Sequence, residues 1–348
     1  MRKVIDIFKN HRAIFLLPAV TLLFAVLFSV YITLNTGEKA EPELVVVSPH
    51  PTAFIIPLIK EFENETGIKT EVISLGTTAS LKRITSDENV DVLWGGSILT
   101  VGPYEDYFDE YKCENKEYFK DKFAGTDDTI TCFTLVPSVI MINNDIIGDI
   151  KITGYKDLLN EELKGHIAFA DPKKSSSSFE HLVNMLYAMG EDDPEAGFEY
   201  VEKFIENLDG NLLDSSSAVY EGVANGEYIV GLTFEEAAVT MLKSDKHISI
   251  IYMDEGVVST PDGIYINKAS KHKETAKAFA DFMTGQNAQQ FIAANLGRRS
   301  VRKDVPESGL VIPYEDINSI EVDKDKVISC KDKWIENFSL LFKEVNNE

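Results

Sequence analysis

Continuous apolar runs alternate with amphipathic stretches between residues 44 and 97. The first run, LVVVS at 44–48, is rich in β-branched residues, which is typical of a buried parallel strand. The stretch TAFIIPLIKEFENETG that follows places its apolar residues on one helical face and ends at Gly67. KTEVIS and VDVLWGG repeat the strand pattern, and GTTASLKRITS between them repeats the helix pattern. This order predicts an α/β fold built on a doubly wound parallel sheet.

The same alternation continues in the rest of the chain. CFTLVPSVIMINN, HIAFADP, YIVGLTF, HISIIYM and DGIYINKAS are predicted strands, and SFEHLVNMLYAMG, EAGFEYVEKFIENLDG and KDKWIENFSLLFKEV are predicted helices. The long runs near 133–143 and 261–267 are the candidate crossings between two lobes. We therefore predict a first lobe made of residues 44–136 and 261–348 and a second lobe made of residues 137–260.

The amino-terminal segment predicts a membrane anchor. Residues 1–12 form a basic head, and residues 13–34 carry no charge over a length that spans a bilayer. The positive flank keeps the head in the cytoplasm and places the rest of the chain, beyond a polar tether at 35–43, outside the membrane. A cleaved signal peptide is the alternative, although its apolar region is normally shorter and no small-residue cleavage site follows. We expect an uncleaved signal anchor on the extracytoplasmic face of the cell membrane.

The chain is strongly acidic. Its 348 residues include 57 Asp and Glu against 34 Lys and Arg, a formal net charge of −23. Such a surface has no electrostatic footprint for nucleic acid or for anionic lipid headgroups, so neither is an expected partner. An anionic ligand would have to be held by a local site against the field of the whole protein.

The sequence carries no recognised signature of catalysis or of a resident metal. GxSxG, HExxH and P-loop motifs are absent, so we expect no enzymatic activity and no cofactor. The three cysteines, Cys113, Cys132 and Cys330, form no CxxC or Cys/His cluster, which argues against structural zinc. Outside the cell a Cys113–Cys132 disulfide is one expectation, and buried free thiols are the other.

Four consecutive serines, Ser175 to Ser178, follow the predicted strand HIAFADP. A serine run is usually a flexible linker, but Ser177 and Glu180 have the spacing of a capping box, and an apolar helical stripe starts beside them. One serine suffices for a cap, so a plain helix start is the simplest interpretation. The surplus hydroxyls, with the free N–H groups and partial positive charge of a helix N-terminus, would also suit a phosphate, a carboxylate or a polyol.

Four other turns have a similar composition. SPHPTAF, LGTTASL, WGGSILT and LDSSSAVY each place small hydroxyl or glycine residues before a possible helix start. Ligands of open α/β sheets bind beyond the carboxyl ends of the strands. Five such turns spread over both predicted lobes favour one cleft lined with neutral hydrogen-bond donors.

Three further groups of residues are candidates, each with a simpler alternative. His50 lies between two prolines that would fix its imidazole, or it is a surface histidine. Glu235 and Glu236 could accept hydrogen bonds from sugar hydroxyls, or they are acidic residues favoured in a first helical turn. The stretch GRRSVRK at 297–303 is the densest basic segment, and we expect it to lie on the surface rather than at an anion.

These motifs, in this order and spacing, resemble extracellular solute-binding proteins of ABC transporters. The resemblance covers roughly residues 44–305 and includes ADPKKSSSSFEHLVNML, SSSAVYEGVANGEYIVGLTFEEAA and GRRSVRKDV. The branch it points to is related to ferric-ion-binding proteins and includes binding proteins for hexose phosphates and phosphoglycerate-transport regulatory proteins. It implies a type II periplasmic-binding-protein fold, in which two doubly wound lobes close over a ligand in the cleft between them.

The resemblance also implies which residues line the cleft. They lie on loops of both lobes and are Ser48, His50, Thr77, Thr78, Ser97, Ser175, Ser176, Ser177 and Ser217, with Glu235 and Glu236 as candidate acceptors. Iron-binding relatives carry an adjacent tyrosine pair where this chain has Phe234, Glu235 and Glu236, so phenolate ligation of Fe³⁺ is not expected.

Hydroxyl donors for phosphate and carboxylates for hydroxyl groups fit a small phosphorylated solute, such as a sugar phosphate or a similar organophosphate. The implied partners are the permease subunits of an ABC importer. The alternatives are a sensory module that presents its ligand to a histidine-kinase ectodomain of a two-component system, and a ferric-ion receptor.

Overall fold

The computed structural model describes residues 42–191 and 193–346. The predicted head at 1–12, the predicted anchor at 13–34 and most of the tether lie outside the described residues, so the anchor and the cleaved signal peptide both stay predictions. Within the described part, no helix combines the length and the apolarity that crossing a membrane requires.

The strands of the described residues form one mixed sheet. Their bounds are Leu44–Ser48 (β1), Thr70–Ser74 (β2), Val92–Ser97 (β3), Thr131–Asn143 (β4), Ile167–Ala168 (β5), Val230–Phe234 (β6), Ile248–Ile251 (β7), Val257–Ile266 (β8), Arg299–Ser300 (β9) and Ser319–Ile320 (β10). Along the main path the order is β2-β1-β3-β8-β4-β6-β5. Strands β7 and β9 pair with β4, and β10 pairs with β8.

The helices flank this sheet. Their bounds are Thr52–Thr66 (α1), Thr77–Ser86 (α2), Ile98–Val101 (α3), Asp121–Ala124 (α4), Ser176–Met189 (α5), Phe198–Leu208 (α6), Ser216–Ala224 (α7), Glu235–Lys243 (α8), Lys273–Thr284 (α9), Gln286–Phe291 (α10) and Lys324–Val345 (α11). Short 3₁₀ turns and one π turn at 292–296 connect some of them.

The first half of the sheet follows the predicted alternation of strands and helices. Strand β1 is parallel to β2 and to β3, and its residues Leu44 and Val46 are fully buried. They pack with Phe62 of α1 and Phe279 of α9, which supply one apolar face each. The parallel pairing predicted for residues 44–97 is confirmed for β1, β2 and β3, whereas β8 runs antiparallel to β3 and makes the whole sheet mixed.

Two long strands connect the halves of the sheet. Strand β4 pairs with β8 as far as Pro137 and with β6 from Ser138 onward. Proline has no N–H to give to a strand ladder, so it suits the point at which β4 exchanges one partner for another. The run predicted at 262–270 is part of β8, which starts earlier and ends at Ile266. Both predicted crossing runs are therefore strands, while the lobe boundaries themselves stay a prediction.

The second half of the sheet has its own apolar core, and the carboxy-terminal helix belongs to it. Trp334 and Phe338 of α11 are fully buried and pack in one cluster with Phe169 and Phe204. The Trp334 indole N–H also donates to Glu195 Oε1 at 2.7 Å. Helix α11 lies in the segment that the sequence assigns to the first lobe, yet its apolar face is buried against the second core.

The strand predicted at 166–172 is much shorter than expected. Only Ile167–Ala168 is a regular strand, Ala170 adds a single parallel bridge to Leu213, and the chain turns at Asp171. The backbone N–H groups of Lys174 and Ser175 both donate to the Asp171 carbonyl at 2.9 Å. The serine run follows this turn directly and forms the start of α5.

The cysteines are free thiols in the structure. Cys113 and Cys132 lie in one buried cluster with Phe119 and Phe123. Burial raises the pKa of the Cys132 thiol to about 11, so it stays protonated and unreactive at neutral pH. Of the two expectations for this pair, buried thiols are the one that the structure contains.

Candidate ligand-binding site

A cavity of about 470 Å³ lies beyond the carboxyl ends of β1, β2 and β3. The loops after these strands line one side, and the first turns of α5 and α7 line the other. All five serine-, threonine- or glycine-rich turns reach it, through Pro51, Gly76, Gly96, Ser176 and Ser216. The structure thus brings together the turns that the sequence expects to form one cleft.

In the described part of the chain, four helices of eight or more residues place their first residue in the cavity lining, namely α1, α2, α5 and α7. Pro51 and Gly76 precede α1 and α2 and supply no side-chain acceptor, so the first backbone N–H groups of both helices lack a capping partner. Each helix N-terminus also carries a partial positive charge. Together they make the cavity favourable for an anion without adding a cationic side chain.

The serine run caps α5, but at a different residue from the one predicted. The capping residue is Ser175, whose Oγ accepts the Ser178 N–H at 3.3 Å. The expected capping box of Ser177 with Glu180 is therefore wrong, because the turn at Asp171 starts the helix two residues earlier. Ser176 and Ser177 are left without a capping duty, and both line the cavity.

Helix α7 repeats this arrangement. Ser215 Oγ accepts the Ala218 N–H at 3.3 Å and lies 3.0 Å from Ser217 Oγ, as Ser175 Oγ lies 3.0 Å from Ser177 Oγ. Each run uses its first serine as the cap and presents the next two hydroxyls to the cavity. Thr77 adds a hydroxyl from the first half of the sheet, since its Oγ1 lies 3.4 Å from Ser176 Oγ.

The residues predicted for the site divide into two sets. Those that line the cavity are His50, Thr77, Ser97, Ser176, Ser177 and Ser217. Those that lie elsewhere are Ser48, Thr78, Ser175, Glu235 and Glu236. Ser48 stabilises the loop that carries His50. Its hydroxyl donates to the Trp94 carbonyl at 2.7 Å and accepts the His50 N–H at 3.2 Å. Thr78 is exposed to solvent.

A buried arginine lies in the cavity wall, contrary to the expectation of a basic surface patch. Arg298 is 7% exposed. Its Nε donates to Glu236 Oε2 at 2.5 Å, and its Nη1 donates to Asp262 Oδ2 at 2.5 Å. Nη1 also donates to Thr134 Oγ1 at 3.3 Å, and the guanidinium lies 4.7 Å from the centre of the Phe54 ring. Sequence reasoning misses this residue because a run of arginines on a turn ordinarily stays solvated.

His50 is held in place by Arg298. Its Nδ1 lies 3.3 Å from Arg298 Nη2 and accepts from it, since a guanidinium only donates. Burial, followed by the positive charge of Arg298, lowers the pKa of His50 well below its usual value, so the ring is neutral. The remaining proton is then on Nε2, which has no hydrogen-bond partner in the described residues and lies 3.5 Å from Asp262 Oδ2. His50 therefore offers one unused donor at the cavity wall.

Residues 44–295 match the family model described as bacterial extracellular solute-binding protein. The chain belongs to this family. The resemblance seen in the sequence is thereby confirmed, and the type II periplasmic-binding-protein fold with it.

Three relatives place this solute-binding protein more closely. The structure of the periplasmic binding protein AfuA from Actinobacillus pleuropneumoniae, with exogenous fructose-6-phosphate bound, is 20% identical, covers 87% of this chain and 99% of its own, and superposes with a TM-score of 0.78. A structure described as a two-component system protein that mediates signal transduction is 28% identical, covers 82% and 98%, and has a TM-score of 0.70. The iron uptake protein A1 of Synechocystis sp. is 22% identical and covers 78% and 79%.

The second arginine of the solute-binding protein forms a separate buried ion pair. Arg299 and Glu235 are each 1% exposed, and the guanidinium binds the carboxylate through Nε and Nη2 at 2.7 to 3.0 Å. Arg299 Nη1 also donates to Glu307 Oε2 at 2.6 Å, and the Tyr252 hydroxyl donates to Glu235 Oε1 at 2.5 Å. Glu235 and Glu236, the predicted acceptors, are thus engaged with arginines, and Glu236 reaches the cavity only through Arg298.

An acidic side chain on α5 completes the wall. Glu180 lines the cavity one helical turn below Ser176, and the Thr260 hydroxyl donates to its Oε2 at 2.7 Å. Burial raises the pKa of Glu180 to about 7, although hydrogen bonds from Ser97 and Thr260 favour the ionised form. Glu180 therefore keeps its proton to a much higher pH than an exposed glutamate does.

Glu235→Gln should lower the free energy of unfolding by about 3 kcal/mol, because it leaves the buried Arg299 with only part of its compensation. The measurement is urea unfolding followed by circular dichroism. The double variant Glu235→Leu/Arg299→Met should be closer to the native protein than the single variant, since both charges are removed together. If Glu235→Gln is as stable as the native protein, the ion pair between Arg299 and Glu235 does not contribute to stability.

The free energy of unfolding should fall as the pH rises from 5 to 8, because the folded protein loses the proton of Glu180 in this range. The folded state holds the Glu180 proton up to about pH 7, whereas an unfolded glutamate releases it near pH 4.3, so the folded state binds more protons between these values. The native protein should lose up to about 3 kcal/mol more than Glu180→Gln between pH 5 and pH 8. Equal losses in the two proteins, measured by urea unfolding at both pH values, would contradict this assignment.

Proposed function

We propose that this solute-binding protein serves an ABC importer on the extracytoplasmic face of the membrane and captures a small phosphorylated solute. The observation that carries the proposal is the convergence of four helix N-termini and a ring of uncharged hydroxyls on one cavity. Phosphate oxygens accept hydrogen bonds, and helix N-termini favour negative charge. In this proposal the phosphate lies at the first turns of α5 and α7, beside Ser176, Ser177 and Ser217.

The rest of the cavity suits a sugar-like body. A volume of about 470 Å³ is large enough for a small organic solute, since such sites are typically about 300–1,000 Å³. Asp262 offers a carboxylate oxygen and Glu180 a carboxyl group for hydrogen bonds with a sugar, while Tyr220 and Phe234 offer aromatic rings for its apolar side. The fructose-6-phosphate bound to AfuA, whose fold this chain shares, supports the same class of ligand.

Ferric ion matches these residues less well. Between residues 42 and 346, position 192 aside, no group of three or more His, Cys, Asp or Glu side chains is placed to hold a metal ion. Tyr220 lines the cavity, but burial raises its pKa and opposes the phenolate that iron ligation requires. Iron is therefore the second choice, and the iron uptake protein among the relatives is the reason to keep it in the test.

We propose that capture occurs by closure of the two predicted lobes about β4 and β8. These strands pass between the halves of the sheet, so a small change in their direction would move one wall of the cavity against the other. The contact of Thr77 with Ser176 links walls that belong to different halves. The ligand is released unchanged, because the proposal includes no chemical step.

A thermal-shift panel tests the ligand class. The panel contains fructose 6-phosphate, glucose 6-phosphate, 3-phosphoglycerate, inorganic phosphate, fructose and Fe³⁺. A ligand at 100 times its Kd should add roughly 2.7 kcal/mol of stability, and we expect this from an organophosphate but not from fructose. No shift with any phosphate compound, together with a visible colour and a shift with Fe³⁺, would reject the proposal.

Two serine variants test the place of the phosphate. Ser177→Ala should weaken organophosphate binding about tenfold or more, since a hydrogen bond to a charged group contributes about 1.5–3 kcal/mol. Ser329→Ala on α11 is the matched control, because this exposed serine lies outside the cavity. Calorimetric titration gives both Kd values. An unchanged Kd for Ser177→Ala would show that the phosphate does not bind at the N-terminus of α5.

Sensing is the second candidate function. The structure described as a two-component system protein shares the fold over most of this chain, and an uncleaved anchor, if present, would hold the domain beside a membrane sensor. Chemical cross-linking of the membrane-bound protein in its own cells, followed by mass spectrometry, separates the two roles. Permease subunits among the products support transport, and a histidine kinase in their place supports sensing.

A further inference from the structure

The cavity wall contains one carboxyl group that no cation contacts. Glu236 and Asp262 both accept hydrogen bonds from Arg298 at 2.5 Å, so each has a cationic partner, although the single positive charge offsets only one of the two negative charges. Glu180 instead contacts the hydroxyl groups of Thr260 and Ser97. No described residue forms an ion pair with it. An anion that enters the cavity therefore meets Glu180 as an uncompensated negative charge.

Glu180 lies close to the proposed phosphate position. Residues four apart on a helix share one face, so Glu180 lies directly below Ser176 at the tip of α5. A phosphate at that tip and an ionised Glu180 would be separated by about one helical turn, which is about 5.4 Å. Like charges this close in a partly dehydrated cavity repel each other strongly.

Few other charges face Glu180. Asp262 of β8 lies on the cavity side and raises the pKa of Glu180, while Lys331 of α11 lies behind it and lowers that pKa. Burial lowers the pKa of Lys331 itself. The buried Tyr265 phenol is neutral, because burial raises its pKa well above the usual value.

The remaining titratable groups nearby do not change charge at neutral pH. His181, the next residue on α5, bonds to the Tyr155 hydroxyl and to the Thr233 carbonyl, and burial lowers its pKa to about 4. His50 is neutral for the reasons given above. Glu180 is therefore the group beside the proposed phosphate position whose titration lies near neutral pH, where an incoming anion can shift it.

We propose that Glu180 takes up one proton when an anionic solute enters the cavity and then donates a hydrogen bond to a ligand oxygen. This inference rests on the proposed function. The proton comes from the solvent buffer, one O–H bond forms on the carboxylate, and no bond of the ligand breaks. The hydroxyls of Thr260 and Ser97 accommodate both states, because each can rotate to donate to a carboxylate or to accept from a carboxylic acid.

The coupling makes capture pH-dependent in a definite direction. Above pH 7 the free protein must gain a proton to bind, so the Kd should rise about tenfold for each further pH unit. A phosphate monoester is already doubly ionised in this range, since its second pKa is about 6, so the ligand itself does not contribute. In Glu180→Gln the side-chain amide supplies the same donor at every pH, and its Kd should not follow this slope.

The test is isothermal titration calorimetry of the native protein, Glu180→Gln and Lys331→Met with fructose 6-phosphate, glycerol 3-phosphate and inorganic phosphate. Titrations run at pH 6.5, 7.5 and 8.5 in HEPES and in Tris, whose ionisation enthalpies differ, and phosphate buffer is avoided because it competes. We expect about one proton taken up per ligand at pH 8.5 in the native protein and in Lys331→Met, and none in Glu180→Gln.

The possible results separate cleanly. Binding without proton uptake in the native protein, or uptake that persists in Glu180→Gln, overturns the inference and leaves the proposed ligand class intact. Uptake that disappears in Lys331→Met but persists in Glu180→Gln assigns the proton to the lysine and overturns it as well. No binding of any of the three probes at pH 6.5 by folded native protein rejects the proposed function and the inference together. If Glu180→Gln does not fold, the inference is tested by the number of protons that the native protein and Lys331→Met take up in the two buffers.

Discussion

A buried guanidinium has to be surrounded by oxygen and nitrogen acceptors, and this requirement at Arg298 determines the geometry of the site. The arginine binds Glu236, Asp262, Thr134 and His50, which come from four different segments of the chain. Removing the arginine would leave two largely buried carboxylates without their cationic partner. In the ligand-free protein the arginine therefore ties the loop of His50 to β4, to β8 and to the first turn of α8.

The site also reconciles an acidic protein with the anionic ligand that we propose. A net charge of −23 repels anions at long range, but solvent and salt screen that field over about 10 Å. Hydroxyls and backbone N–H groups act only at contact distance, so they recognise oxygen atoms without altering the net charge. Arg298 does not offset the repulsion, because the two carboxylates that it binds outweigh its single positive charge. Recognition in this cavity depends on hydrogen-bond geometry more than on charge.

The sequence predicted the framework better than the chemistry. Continuous apolar runs such as LVVVS and regular helical stripes depend on local periodicity, so their strands and helices are found where they were expected. The convergence of the serine and threonine turns followed from the rule that sites lie beyond strand ends. Arg298, Asp262 and the cap at Ser175 were missed, because each role depends on contacts between residues far apart in the chain or on a turn that local pattern does not specify.

The serine run separates structural duty from contact with the cavity. Ser175 and Ser215 hold the helix ends, while their neighbours Ser176, Ser177, Ser216 and Ser217 present side chains to the cavity without capping a helix. Substitutions at the neighbouring positions can therefore change what the cavity accepts without loosening either helix. Within a family of shared fold, such positions allow the preferred solute to diverge from one member to another while the framework around Arg298 stays the same.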